Sequence, residues 1–187
     1  MRFSYLRLIN YIGIYNGLQL NEIYIDFNKC KNNIVVIKGK NGSGKSTIFN
    51  TLHPLPDSND SFIPELKAIK ELGIILNNIQ YDIRFIHDVN SKNPKQRETT
   101  KAYIKKNGVE LNVNGNITSY KDTIFSEFNL DHSFVELSQL SSSNRGLADM
   151  KPAERKNMMG SIIDKVTIYN NMLKTISKRS SVFKSPL

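Results

Sequence analysis

One nine-residue stretch constrains this chain more than any other: Gly39-Lys40-Asn41-Gly42-Ser43-Gly44-Lys45-Ser46-Thr47, which matches G-x-x-x-x-G-K-[ST]. At ordinary glycine usage of about 7 %, that pattern arises by accident in fewer than roughly one chain in a hundred of this length. Its neighbours fit the same chemistry. Ile34, Val35, Val36 and Ile37 form a continuous β-branched run, which predicts a strand buried on both faces. Residues 46–52 read as a helix. Strand, glycine loop and helix in that order suit phosphate binding. Glycines at 39, 42 and 44 let the backbone curl so that several N–H groups point at phosphate oxygens. The helix start adds further N–H groups and its positive dipole end. Lys45 can reach β- and γ-phosphates as a point charge, the Ser46 hydroxyl can ligate Mg²⁺, and Thr47 supports the α-phosphate side. A nucleoside triphosphate is the implied ligand.

The rest of the composition sets limits. The chain has 187 residues, the length of one domain or a large piece of one. Hydrophobic residues make up 39 %, enough to bury a core. Lys plus Arg number 26 against 17 Asp plus Glu, a net charge of +9 that favours polyanionic partners. Lys92, Lys95, Lys101, Lys105 and Lys106, with Arg97, form a candidate patch for such a partner; a solvated hairpin is the equal alternative. No apolar run approaches the roughly 18 residues that span a bilayer. The first ten residues alternate apolar and polar and lack the apolar core of a signal peptide. A cytoplasmic protein without membrane contact is therefore expected. The single cysteine, Cys30, excludes an intrachain disulfide or a multi-cysteine zinc site and reads as a partly buried small residue. His53, His87 and His132 are scattered and read as surface or core polar positions rather than catalysts.

Periodicity organises the remainder. Residues 3–10 and 20–27 alternate with period two around a turn at Asn16-Gly17, an antiparallel meander with Ile23, Ile25 and Phe27 on its apolar face. Residues 53–64, with three prolines, read as a loop. Residues 69–76 and 79–88 predict a hairpin around Asn77-Asn78, and 99–105 with 109–113 a second around Asn107-Gly108. Residues 91–98 read as a surface loop. Ser119 is the expected cap of a helix reaching Phe128, with Ile124, Phe125 and Phe128 inward. Residues 133–137 read as a short strand and 138–150 as irregular. Pro152 stands at a first helical position, and apolar residues from Met158 to Ile176 recur at spacings of three and four, a long amphipathic helix. That face either packs on its own domain, docks a partner or pairs with another helix.

The words around the loop, "IVVIKGKNGSGKSTIFNTL", resemble the amino-terminal ATPase half of the Rad50/SbcC proteins and, more widely, SMC-like ABC ATPases, in which G-x-N-G-S-G-K-S/T closes an opening sheet. Asn41 matches that asparagine and joins the implied ATP site of Gly39, Asn41, Gly42, Ser43, Gly44, Lys45, Ser46 and Thr47. "SFVELSQLSSSNRGLADMKPAERKNMMGSIID" is similar to the family's Q-loop, with Gln139 at the glutamine and Glu154-Arg155 at the helix opening. The resemblance implies that Gln139 contacts Mg²⁺ or the attacking water, so Lys45 and Gln139 are the expected catalytic residues and Ser46 and Gln139 the Mg²⁺ ligands. The sequence departs from the family at residues 10–15, which lack its arginine, and at Lys40, where proline is common.

The fold so implied is α/β with a mixed sheet: a P-loop NTPase, the amino-terminal lobe of an ABC head over residues 1–165, and the start of a coiled-coil helix over 166–187. The sequence has no apolar run ending in Asp-Glu and no L-S-G-G signature, motifs that belong to the family's carboxy-terminal half. The implied partners are that carboxy-terminal lobe, a second head in a head-to-head dimer, DNA ends and a nuclease of the Mre11/SbcD type. The implied activity is ATP hydrolysis in a completed head, slow or absent in the isolated chain. Two other readings stay open: another small P-loop enzyme such as a nucleoside kinase, and a non-catalytic module that binds DNA or a partner.

Overall fold

The computed structural model describes residues 1–30, 34–89 and 98–129, and beyond them 151–153, 155–156, 172–173 and 175–176. The chain divides into two compact units, Met1–Glu127 and Phe128–Leu187. The first is built on a six-stranded sheet: β1 (Arg2–Ile9), β2 (Glu22–Asp26), β3 (Ala68–Leu76), β4 (Ile79–Val89), β5 (Glu98–Lys106) and β6 (Val109–Glu110). Its spatial order is β2-β1-β3-β4-β5-β6. Every described pairing is antiparallel, so the expected mixed sheet is not what these residues form. Three helices accompany it: α1 (Ile12–Leu18), α2 (Lys45–Thr51) and α3 (Ile117–Phe128).

Strand alternation chooses the core. In β1 the set Ser4, Leu6 and Leu8 is buried, while Tyr5 and Arg7 face outward. Leu72 and Ile74 of β3, Ile83 and Phe85 of β4, and Ala102 and Ile104 of β5 continue that inner face. Tyr120 and Ile124 of α3 are fully buried, and Tyr120 meets Phe85 edge-on at 5.0 Å. The outer face carries a ladder of cross-strand charges instead. Arg7 reaches Glu22 at 2.7 Å and Glu71 at 3.3 Å, Arg84 reaches Glu71 at 3.2 Å, and the Tyr5 hydroxyl donates to Asp82.

The two hairpins form where their turn residues require. Asn77 and Asn78 have φ of 51° and 63°, and Asn107 and Gly108 have 48° and 84°, the left-handed pairs of type I′ turns. Three local expectations need correction. The Asn16-Gly17 turn lies inside α1, because residues 12–18 close a helix against the glycine loop. The cap of α3 is Asn116, whose side-chain oxygen Oδ1 accepts from the Thr118 and Ser119 amides at 2.8 and 3.1 Å; Ser119 sits within the first turn. Cys30 is exposed rather than partly buried.

A buried charge cluster ties the irregular segment after α2 to the sheet. Lys70 projects from β3 into the core with only 1 % of its surface exposed. Its ammonium donates to the Leu55 carbonyl at 3.0 Å and to Asp57 at 3.1 Å, and lies 5.2 Å over the Phe85 ring. The same carboxylate accepts from the Tyr11 hydroxyl at 2.6 Å and from His53 Nε2 at 3.1 Å. The Leu55 amide donates to His53 Nδ1, so the ring proton sits on Nε2 and the imidazole is neutral. Burial, together with the Lys70 charge, lowers His53 below its ordinary range, against the pull of Asp57. Burial alone would raise the Asp57 carboxyl, but Lys70, His53 and Tyr11 outweigh it and hold it below the usual carboxylate value.

Two outcomes follow for this cluster. Asp57→Ala strands the Lys70 charge in the core and is expected to cost about 3–5 kcal/mol in denaturant unfolding. Adding Lys70→Met to that variant should recover part of the loss; a double variant weaker than Asp57→Ala would contradict the pairing. Both acids bind fewer protons folded than unfolded, so stability rises with pH across their range. The melting temperature should begin to fall as pH drops below about 6.5, where unfolded His53 gains a proton, and fall further below about 3.8, where unfolded Asp57 does. His53→Gln should remove the first step, and parallel curves for the two proteins would show that His53 is not its source.

Candidate functional site

The glycine loop enters from residues 34–38, which form neither strand nor helix and have no ladder partner among the described residues. Ile34, Val35 and Val36 are 80 %, 42 % and 69 % exposed, so the expected strand buried on both faces is not formed here. A β-branched run makes a core strand only between neighbouring strands, and the antiparallel meander supplies none. The loop itself turns tightly. Ser43 N–H donates to the Lys40 carbonyl at 3.2 Å, with Gly42 at φ 81° between them. Gly44, at φ 78° and ψ 8°, is the N-cap of α2, and its carbonyl accepts from Ile48. Both glycines adopt left-handed backbone that a β-carbon disfavours.

The site residues lie together in this turn. Asn41, Gly42 and Ser46 are exposed, whereas Ser43, Lys45 and Thr47 are half-buried. The Lys45 ammonium folds back over the loop and donates to the Gly39 carbonyl at 2.9 Å and the Lys40 carbonyl at 2.6 Å. A phosphate would offer it charged acceptors in place of two neutral carbonyls, an exchange of weaker for stronger bonds. Ser43 packs over Gly39, where a β-carbon would lie 2.6 Å from its hydroxyl oxygen.

Behind the loop stands α1, which sequence reading missed as an element. A β-carbon on Gly17 would lie 2.1 Å from the Gly42 carbonyl oxygen, and one on Gly13 would lie 2.0 Å from Thr47 Oγ1. Ile14 between them is buried, and its Cδ1 would meet a β-carbon on Gly44 at 2.8 Å. The readable signal was the four-residue spacing of Gly13 and Gly17, which puts both on one helix face. His53, Asp57 and Lys70, also missed as a group, fix the segment that leaves α2.

Many of the remaining predicted residues are not among the described ones. Gln139 and Glu154 lie outside the described residues, as do the strand expected at 133–137, most of the amphipathic helix from Met158 and His132. Pro152 does begin helical backbone, and Arg155, Met172, Leu173 and Ile176 are helical and exposed. Of the basic patch, Lys92, Lys95 and Arg97 also lie outside. Strand alternation separates the other three. Lys101 and Lys105 lie on the outer face, Lys105 being 4.0 Å from Glu110, whereas Lys106 donates to Glu127 at 2.7 Å beside Tyr81. The hydrogen bond from Lys106, followed by that from Tyr81, draws the Glu127 carboxyl below its ordinary value.

No group of three or more His, Cys, Asp or Glu among the described residues could hold a metal. A Mg²⁺ bound through nucleotide oxygens needs only one or two protein ligands, and the exposed Ser46 hydroxyl fits that limited demand. No helix among the described residues is long and apolar enough to cross a membrane. No protein-family model matches the chain, and no curated protein resembles it closely enough to count as a match.

Gly44→Ala tests the loop's geometry. It combines left-handed backbone strain of about 1–2 kcal/mol with the collision against Ile14. Gly108→Ala carries the same strain with nothing within 4 Å. Chemical denaturation should therefore show a larger loss for Gly44→Ala than for Gly108→Ala. Equal losses would mean that the Ile14 contact carries no weight.

Proposed function

We propose that this chain is the ATP-binding lobe of an ATPase of the Rad50/SbcC kind, acting in DNA break repair and recombination. The observation that carries the reading is the loop itself. Its two left-handed glycines expose backbone at the start of α2, and Lys45 is held over the same turn by two carbonyls that a phosphate can replace. In this reading Gly39, Asn41, Gly42, Ser43 and Gly44 cradle the phosphates, Lys45 neutralises the β- and γ-phosphates, and Thr47 supports the α-phosphate side. Ser46 ligates Mg²⁺, and Gln139 joins it to orient the attacking water.

The exposed apolar run before the loop supports a completed head. Ile34, Val35 and Val36, with Phe49 of α2 on the other side of the loop, remain in water. Apolar surface of this kind gains about 25 cal/mol per Å² when covered. A carboxy-terminal lobe, from the same or a separate chain, would add the neighbouring strands and the carboxylate base that the sequence does not provide. Two such heads would close over two nucleotides, hold DNA and control a nuclease of the Mre11/SbcD type. The outer face of the sheet argues against DNA contact there, since Arg7, Arg84 and Lys105 are each paired with Glu22, Glu71 or Glu110.

Calorimetry with ATP–Mg on the chain and on Lys45→Ala tests the reading. Binding by the unmutated protein and its loss in Lys45→Ala is the expected result, with Ser46→Ala weakening the dependence on Mg²⁺. Hydrolysis by the purified chain should be slow or undetectable; steady turnover would show that a base is already present. Binding to DNA that survives Lys45→Ala, without any nucleotide binding by the parent, would favour a non-catalytic module.

A further inference from the structure

Glycine is the poorest helix former after proline, yet α1 places two in seven residues, Gly13 and Gly17. Neither has a positive φ, so backbone conformation does not demand glycine at either position. What demands it is proximity. At Gly17 a β-carbon would lie 2.1 Å from the Gly42 carbonyl oxygen, 2.9 Å from the Gly44 nitrogen and 2.9 Å from the Ser43 carbonyl carbon, all backbone atoms of the loop. At Gly13 it would lie 2.0 Å from the Thr47 hydroxyl oxygen and 3.1 Å from its Cβ. The contact is reciprocal, since a β-carbon on Gly44 would meet Ile14 at 2.8 Å and the Gly13 carbonyl at 3.1 Å. The helix is itself fixed at its start, where the N-cap Tyr11 is buried and bonded to Asp57.

We propose that α1 is the positioning element of the phosphate loop: its bare Gly13–Gly17 face is a rigid seat that sets where residues 42–44 and Thr47 stand. The inference rests on reading the loop as a nucleotide site. Gly13 and Gly17 touch no ligand; Gly17 acts through the loop backbone and Gly13 through the Thr47 side chain. A turn held open by a tertiary contact presents its amides to phosphate without reorganising, which is how a remote displacement of about 1 Å alters affinity. The stretch that lacks the expected arginine thus serves the site through backbone packing instead of a side chain.

Gly17→Ala, Gly13→Ala and Asn16→Ala in the full chain test this. All three raise helix propensity, and Asn16 is exposed on α1. Three readouts are taken: calorimetric affinity for ATP–Mg, thermal unfolding without nucleotide, and backbone amide NMR signals of Gly42, Ser43 and Gly44. Gly17→Ala should remain folded, shift those three amides and weaken ATP–Mg on the order of tenfold or more. Gly13→Ala should do so to a smaller degree, because it meets a side chain instead of backbone, and it carries the test if Gly17→Ala does not fold. Asn16→Ala should match the parent throughout. Parental affinity in both glycine variants overturns the proposal and leaves the nucleotide reading intact. A parent that binds no ATP–Mg overturns the nucleotide reading, and the amide signals then decide the seat: unmoved signals in the glycine variants refute it.

Discussion

The ammonium of Lys70 sits in the core of an antiparallel sheet, and the path of the chain around it is set by the need to pair that charge. A lysine buried to this degree is stable only with an anion and further acceptors at hand. Asp57 and the Leu55 carbonyl meet that need. They bring the segment leaving α2 down onto β3. The same carboxylate binds Tyr11, which starts α1, and His53, which follows α2. The two helices that flank the glycine loop are thus referred to one oxygen pair. The loop closes on itself through Ser43 and Lys45, and those anchors hold the helices packed around it.

How much of this was legible in the sequence depends on how local each cause was. The hairpins at Asn77-Asn78 and Asn107-Gly108 were readable, because left-handed turn residues act within two positions. The glycine loop and the helix after it were readable for the same reason. The strand expected at 34–37 is not formed: a buried strand of this type depends on its neighbours, and the described meander offers none. α1 was invisible because its glycines and isoleucines oppose a helix locally, and only the loop packed against it makes the helix worthwhile. The Lys70 cluster was hidden because a lysine within an alternating strand reads as solvated until the residue opposite is known. Asn116 displaced Ser119 as the cap of α3 by three positions, because its side-chain oxygen reaches the first free amides of the helix.

Charge tells a similar story about the surface. A net of +9 invited a polyanion patch over residues 92–106. The strand period splits its described lysines between two faces, and the outer face is neutralised pair by pair across β1, β2, β3 and β4. The excess positive charge therefore does not reside on the described outer sheet face. The exposed apolar run beside the loop is the more telling surface feature, since contiguous apolar surface of this kind marks a place that another surface covers.

The order of strands has a consequence for how the chain reaches this state. β3, β4, β5 and β6 follow one another in sequence and in space, so their pairing closes short loops and comes early. β1 joins them only through β3, with Ile9 facing Ile69. The whole glycine loop lies in the chain enclosed by that one pairing. Its closure carries a larger entropic cost than any hairpin in the sheet, which makes the seating of the glycine loop a late product of folding. Nascent or partly unfolded molecules would then hold a formed meander without a formed cradle. A nucleotide that binds the cradle would act on the last step of assembly, stabilising the union of β1 with β3 rather than the sheet as a whole.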